Sequence, residues 1–369
     1  MTDKLFYQIS LTMINGIGDI LARHLLETFG DAEAIFSEKQ RLLEKIPGIG
    51  QTLSTEIKRP EIFQQAEKEL SFIEKNQIST YFLTDKAYPK RLKECPDAPV
   101  LFYYKGNADL NNTRIISIVG TRSATEYGRE LTDKLIKDLA TLFPDLLIVS
   151  GLAYGIDIQA HRSAIRHNLP TVGVLAHGLE RLYPQVHRNT AVEMLQQGGL
   201  LTDFPSETNP DRPNFIKRNR IVAGLSDATI VVESAEKGGS LITADIAFSY
   251  GRDVFSFPGR VSDTSSKGCN LLIQQNKAAL ITSASDLISA MCWDVTIQKK
   301  EPPKQTQLFF SENKELERIM EILYKEKELH INQLAMTLNM PVFQLSSLLF
   351  ELEMNNAVIN MPGNIYKLV

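Results

Sequence analysis

The run Ile115-Ile116-Ser117-Ile118-Val119-Gly120-Thr121-Arg122-Ser123-Ala124-Thr125-Glu126-Tyr127-Gly128 decides the fold. Its first five residues are almost continuously apolar, which reads as a strand buried on both faces, as in a parallel sheet covered by helices. A Gly-Thr-Arg turn follows, then a helix over 127–141. Such a turn bares backbone N–H groups beside the partial positive charge of a helix start, and Arg122 adds a planar donor fork, so the junction suits an oxyanion. It is neither Gly-x-Gly-x-x-Gly nor a Walker A sequence, and no lysine–serine pair serves a triphosphate and magnesium.

Outward from this junction, apolar strand-like runs at 146–150, 171–175, 228–232 and 254–257 alternate with helical stretches. The helices are expected at 156–168, 187–197, 240–250 and near 270–276. Alternation of this kind predicts an α/β domain, Rossmann-like, with a mostly parallel sheet over residues 79–294. Residues 79–83 and 101–104 read as edge strands. The preceding 78 residues read as short helices around two similar turns, Asn15-Gly16-Ile17-Gly18 and Pro47-Gly48-Ile49-Gly50, the form of a helix-hairpin-helix or SAM-like domain. Residues 295–313 carry paired prolines and charges without apolar periodicity and read as a linker. Residues 314–369 follow with helix, helix-turn-helix and β-hairpin, the order of a winged helix.

The chain has 369 residues, of which 43% are apolar and 23% charged, with a net charge of -4. That composition suits two or three globular domains and does not suit a protein that coats DNA by bulk positive charge. Any nucleic-acid site is a local basic patch. Cys95, Cys269 and Cys292 form no Cys-x-x-Cys pair, which argues against zinc and a disulfide framework and for a reducing compartment. Without a signal peptide pattern or a long apolar run, a cytoplasmic location away from membranes is expected.

Three more segments carry chemistry. Ser150-Gly151-Leu152-Ala153-Tyr154-Gly155-Ile156-Asp157, with Ala160-His161 after it, puts two glycines at the C-terminal end of a strand, where open α/β sheets gather ligands. Asp157 and His161 are spaced i, i+4. They are either an acid–base couple or a helix-start brace beside a core histidine, and the lack of a neighbouring nucleophile favours the second. Asp211 to Ser226 holds Arg212, Lys217, Arg218 and Arg220 within nine residues, next to Phe215. Cations that track a backbone plus a ring for stacking are what a single strand requires. Arg220 is read instead as bracing the fold through a carboxylate. Finally Glu236-Lys237-Gly238-Gly239-Ser240 is a phosphate-accepting turn in which Ser240 is also a good helix N-cap.

Together Val119-Gly120-Thr121-Arg122, Ser150 to Asp157, Arg218-Asn219-Arg220 within Phe215 to Ser226, Gly238-Gly239-Ser240 and Phe257-Pro258-Gly259 resemble the DNA-processing protein A family, also called Smf. The resemblance spans roughly residues 80 to 290, in order. It implies a non-enzymatic, cofactor-free homodimer that binds single-stranded DNA without base specificity, protects incoming DNA during natural transformation and helps load the recombinase RecA. It also implies DNA contact by Arg122, and by Arg212 and Phe215 ahead of the Arg-Asn-Arg segment. The DNA-binding set expected from residues and resemblance together is Gly120, Thr121, Arg122, Gly151, Gly155, Arg212, Phe215, Lys217, Arg218, Gly238, Gly239 and Ser240.

Two competing classes are weaker. Rossmann-like nucleoside-phosphate hydrolases of the lysine-decarboxylase-like group carry a Pro-Gly-Gly-x-Gly-Thr-x-x-Glu site, where this chain has Lys237-Gly238-Gly239-Ser240-Leu241-Ile242-Thr243 without that glutamate. A winged-helix transcription regulator needs a basic recognition helix. Residues 341–355 contain Glu351 and Glu353 and no Lys or Arg, which suits protein contact or dimerisation better.

Overall fold

The computed structural model describes residues 2–293, 314–355, 357–361 and 363–368. They fall into two compact units that divide near residue 296. The linker expected at 295–313 lies outside the described residues.

The first unit is built on nine strands, counted among the described residues: β1 (Ser79–Phe82), β2 (Leu101–Gly106), β3 (Ile115–Val119), β4 (Leu147–Ser150), β5 (Thr171–Val174), β6 (Gly199–Thr202), β7 (Ala228–Val231), β8 (Asp253–Ser256) and β9 (Ala279–Leu280). They lie in the order β1-β2-β6-β5-β4-β3-β7-β8-β9. β1 and β2 are antiparallel, as are β2 and β6, and every other pair is parallel. All five residues of β3 are buried, as its apolar run requires. β1 is an edge strand as expected. β2 is not, because β6 pairs along its other side and buries Leu101 to Tyr104.

This order sets the position of the site. From β3 the chain winds through β4 and β5 to β6 on one side, then returns to β7 and β8 on the other. The loops after β3 and β7 therefore diverge, and a crevice opens between them at the C-terminal edge, the topological switch point where such sheets hold ligands.

The N-terminal helices join the sheet in one core, in which Ile9, Leu11 and Leu25 share a cluster with Phe102, Tyr103 and Val174. Packing is continuous across the boundary expected at residue 78. The two glycine turns are real. Gly16 and Gly48 have φ of 82° and 88°, and Gly18 and Gly50 cap the helices Asp19–Phe29 and Gln51–Ile57. A Cβ on Gly16 would lie 2.8 Å from Leu53, and one on Gly48 would lie 2.9 Å from Leu21, so the two hairpins pack reciprocally.

The second unit contains helices Lys314–Glu326, Ile331–Leu338 and Val342–Met354, with β10 (Glu328–His330), β11 (Val358–Met361) and β12 (Ile365–Leu368). β12 lies between the other two strands, antiparallel to both. Leu323, Leu334, Leu345 and Leu349 are its central core residues. This is the winged-helix order, with the short strand β10 between the first two helices added. No described helix is long and apolar enough to cross a membrane.

Candidate nucleic-acid interface

A cavity of about 610 Å³ occupies the switch-point crevice. Three loop regions and one helix bring ten of the twelve expected residues to its wall.

The loop after β3 contributes Gly120, Thr121 and Arg122. Its position is fixed by backbone bonds, because Thr121 N–H donates to Glu233 O at 2.7 Å and Thr121 O accepts from Ile156 N–H at 3.2 Å. Glu233, only 2% exposed, is held in turn by Thr125, whose hydroxyl donates to one carboxylate oxygen at 2.5 Å and whose N–H donates to the other at 2.9 Å. The Arg122 side chain projects outward, with its guanidinium carbon 5.4 Å from the centroid of the Phe215 ring. This is cation–π geometry, and it leaves the donor fork open.

The loop after β4 contributes Gly151 but not Gly155. Gly155 acts on the turn instead. Its φ is 78°, and a Cβ there would sit 2.1 Å from Thr121 O. Only glycine lets the β4 loop support the Gly-Thr-Arg turn from behind. Gly155→Ala should therefore destabilise the unit by more than about 2 kcal/mol through backbone strain and this clash. Thermal melting checks it, and an unchanged midpoint would show that the turn relaxes freely.

The helix Arg212–Gly224 supplies Arg212, Phe215 and Arg218. Arg212 is exposed. Arg218 is not, at 4% exposure, and this corrects its assignment as an open phosphate contact. Its Nη1 donates to Gly151 O at 2.7 Å and to Val174 O, and a Cβ on Gly151 would meet the guanidinium at 2.5 Å. Burial lowers its pKa to about 10, against the pull of Asp157, so it remains charged at neutral pH and contributes positive potential from the cavity floor. Lys217 lies outside the cavity lining. Its Nζ lies 3.7 Å from Asp203 and 5.2 Å from the Phe204 ring. Arg220 braces the fold as expected, donating to Asp203 at 2.5 Å and Asp19 at 3.0 Å.

The loop after β7 contributes Gly238, Gly239 and Ser240. The cap of the helix Gly239–Ser249 is Gly238, not Ser240. Ser240 is 6% exposed and donates to Ser234 Oγ at 2.9 Å. A Cβ on Gly239 would meet nothing within 4 Å, so this backbone faces open space.

Asp157 and His161 form no acid–base couple. Burial raises the Asp157 pKa, with Arg218 pulling it back, and its carboxylate accepts N–H bonds from Ala153 and Gly151. His161 Nδ1 bonds Thr171 Oγ1 at 2.7 Å, and burial, aided by His187 and Arg218, lowers its pKa to about 3.

Of the cavity residues outside the expected set, two offer a cation or an aromatic ring. Lys237 precedes the glycine pair and is exposed. Tyr183 reaches the cavity from a loop with no motif, its ring edge-on to Phe215 at 5.8 Å between centroids. His177 fixes that loop by accepting the Tyr183 N–H at 3.1 Å on Nε2. Among the described residues, the lining thus sets the cations Arg122, Arg212, Arg218 and Lys237 against one carboxylate, Asp157, on a protein of net charge -4. No three His, Cys, Asp or Glu side chains among them come together as a metal site.

Comparison with known proteins agrees with this architecture. The family model for DNA recombination-mediator protein A matches residues 79–292. Protein Smf of Synechocystis is 35% identical over 293 residues, covering 77% of this chain and 72% of that protein. DNA processing protein DprA of Bacillus subtilis is 40% identical over 215 residues, covering 58% of this chain and 71% of that protein. The crystal structure of DNA processing protein A from Streptococcus pneumoniae superposes with a TM-score of 0.67 at 33% identity, over 77% of this chain and 97% of that one. DNA processing protein A from Helicobacter pylori, whose structure addresses its single-stranded DNA binding mode, gives a TM-score of 0.53 at 29% identity, over 58% of this chain and 96% of that one. With the family's model matched across the whole sheet domain that builds the cavity, the chain belongs to the DNA recombination-mediator protein A family.

Proposed function

We propose that the switch-point cavity binds single-stranded DNA, and that the chain is a binding protein that protects the strand and passes it to the RecA recombinase as a cytoplasmic homodimer. One observation carries the reading. Arg122, Phe215 and Tyr183 form a cationic–aromatic cluster in the same cavity as the open backbone of Gly239, and the cavity lining carries net positive charge. Exposed guanidinium and ammonium groups meet phosphates, and the rings offer stacking surface to any base, so binding depends little on sequence. A duplex keeps its bases stacked inside and can use only the cations. No nucleotide or metal is needed in this scheme, because nothing is hydrolysed.

A homopolymer single strand should therefore compete for the protein at least about tenfold better than a blunt duplex of equal length, since stacking adds on the order of 1–3 kcal/mol per base. Equal competition by the two would reject the cavity as a single-strand site. Retention of RecA on immobilised full-length chain tests the hand-off separately from DNA binding.

A further inference from the structure

In a winged helix the outer face of the last helix is the usual reader of duplex DNA. Here that helix, Val342–Met354, exposes Phe343, Phe350 and Met354 by 77%, 64% and 70%. At about 100° per residue these three side chains fall within an arc of roughly 40° and form one stripe along the helix. Their exposed apolar area is roughly 400 Å², the size at which a surface patch on a small domain marks an interaction site. Glu351 and Glu353 flank it, and the helix has no Lys or Arg. Duplex DNA is the wrong partner for such a face, because phosphates need cations.

We propose that this stripe pairs with the same stripe of a second copy of this chain, the two helices running antiparallel. Register and charge both point to a second copy. When residue numbers summing to 697 are placed side by side, Phe343 meets Met354 of the second copy. Phe350 then lies over the small Ser347, a large side chain entering the gap between two others. Glu351 falls beside Ser346, and Glu353 beside Gln344, whose amide can donate to it. No glutamate faces a glutamate. The first turn of the helix bears no acidic residue, so each acidic C-terminal half lies along the positive end of its neighbour's dipole. A parallel pair would set Glu351 against Glu351 instead. The stripe amounts to about half of a standard interface, so the pairing is weak on its own and acts beside other contacts of the assembly. This surface is independent of the DNA cavity and stands or falls without it.

Cross-linking of the full-length chain tests the pairing. Cys95 and Cys269 are buried and Cys292 is exposed, so Cys292→Ser gives a background without an accessible thiol. Ser347→Cys in that background, treated with a bismaleimide that spans the ~8–10 Å between packed helix axes, should form covalent dimers at least about tenfold faster than Asn360→Cys on β11. Adding Phe350→Glu, at an exposed position, should return the rate to that of Asn360→Cys without moving the melting temperature. Glu353→Lys should slow the reaction, and Gln344→Glu added to it should restore the rate. Equal rates at 347 and 360 would overturn the proposal, as would a rate unaffected by Phe350→Glu. If the chain's own residues 306–310 cover the stripe, cross-linking at 347 will rise only after their deletion, and that result also overturns it.

Discussion

Arg220→Met should lower the stability of the first unit by about 3–5 kcal/mol, because it removes the principal counterion of a buried carboxylate and leaves the half-exposed Lys217 ammonium, 3.7 Å away. Arg220 is 6% exposed and joins three parts of the unit. Its Nη2 donates to Asp203, whose side chain is 2% exposed, and to Asp19 at the start of the second N-terminal helix, while Nη1 donates to Asp97 O. Burial opposes the guanidinium charge, but Asp203 and Asp19 outweigh it and hold the pKa above the ordinary arginine value. Methionine fills much of the volume and removes every donor. For a unit of this size the loss corresponds to a fall in melting temperature on the order of 6–10 °C. Asp203→Asn in the same chain should return part of it, since the amide carries no charge to strand. A midpoint within a degree of wild type would show that water reaches Asp203 and that the triad is not structural.

The second large effect falls on binding. Arg122→Ala should weaken single-strand binding roughly ten- to hundredfold, which corresponds to one charge-assisted contact of about 1.5–3 kcal/mol. The melting temperature should not change, because the side chain is exposed and packs against the Phe215 ring. Arg122→Lys should recover only part of the affinity. An ammonium keeps the charge but cannot grip a phosphate through two parallel bonds or lie flat along the ring. Loss of stability without loss of affinity in the folded fraction would assign Arg122 to bracing instead.

The parallel sheet was legible because β3, β4, β5 and β7 are short, almost purely apolar runs, and few other structures bury both faces of such a segment. The glycine turns were legible because they follow those strands directly. β6 was not, since it opens on Gly199 directly after Gly198, whose backbone approaches Thr171 too closely for any side chain. The helix Arg212–Gly224 was hidden for a different reason. Arg218 and Arg220 are both buried although they lie on different sides of the helix, so charge and burial do not segregate as an amphipathic helix requires. That same feature misled the assignment of Arg218. Four cations in nine residues look alike in a sequence, and only the fold separates Arg212, which faces the cavity, from Arg218 beneath it, Lys217 beside it and Arg220 locked to Asp203. Tyr183 gave no local signal, because what places it is a hydrogen bond from its backbone to His177.

The claim that the cavity grips a DNA backbone is tested most directly by the salt dependence of single-strand affinity in wild type and Arg122→Ala. On a plot of log affinity against log salt, each phosphate neutralised on a single strand contributes a slope of about -0.7. Removing one phosphate contact should make the line shallower by about that amount while the protein stays folded. Parallel lines for the two proteins would contradict the account, whatever the change in affinity at any single salt concentration.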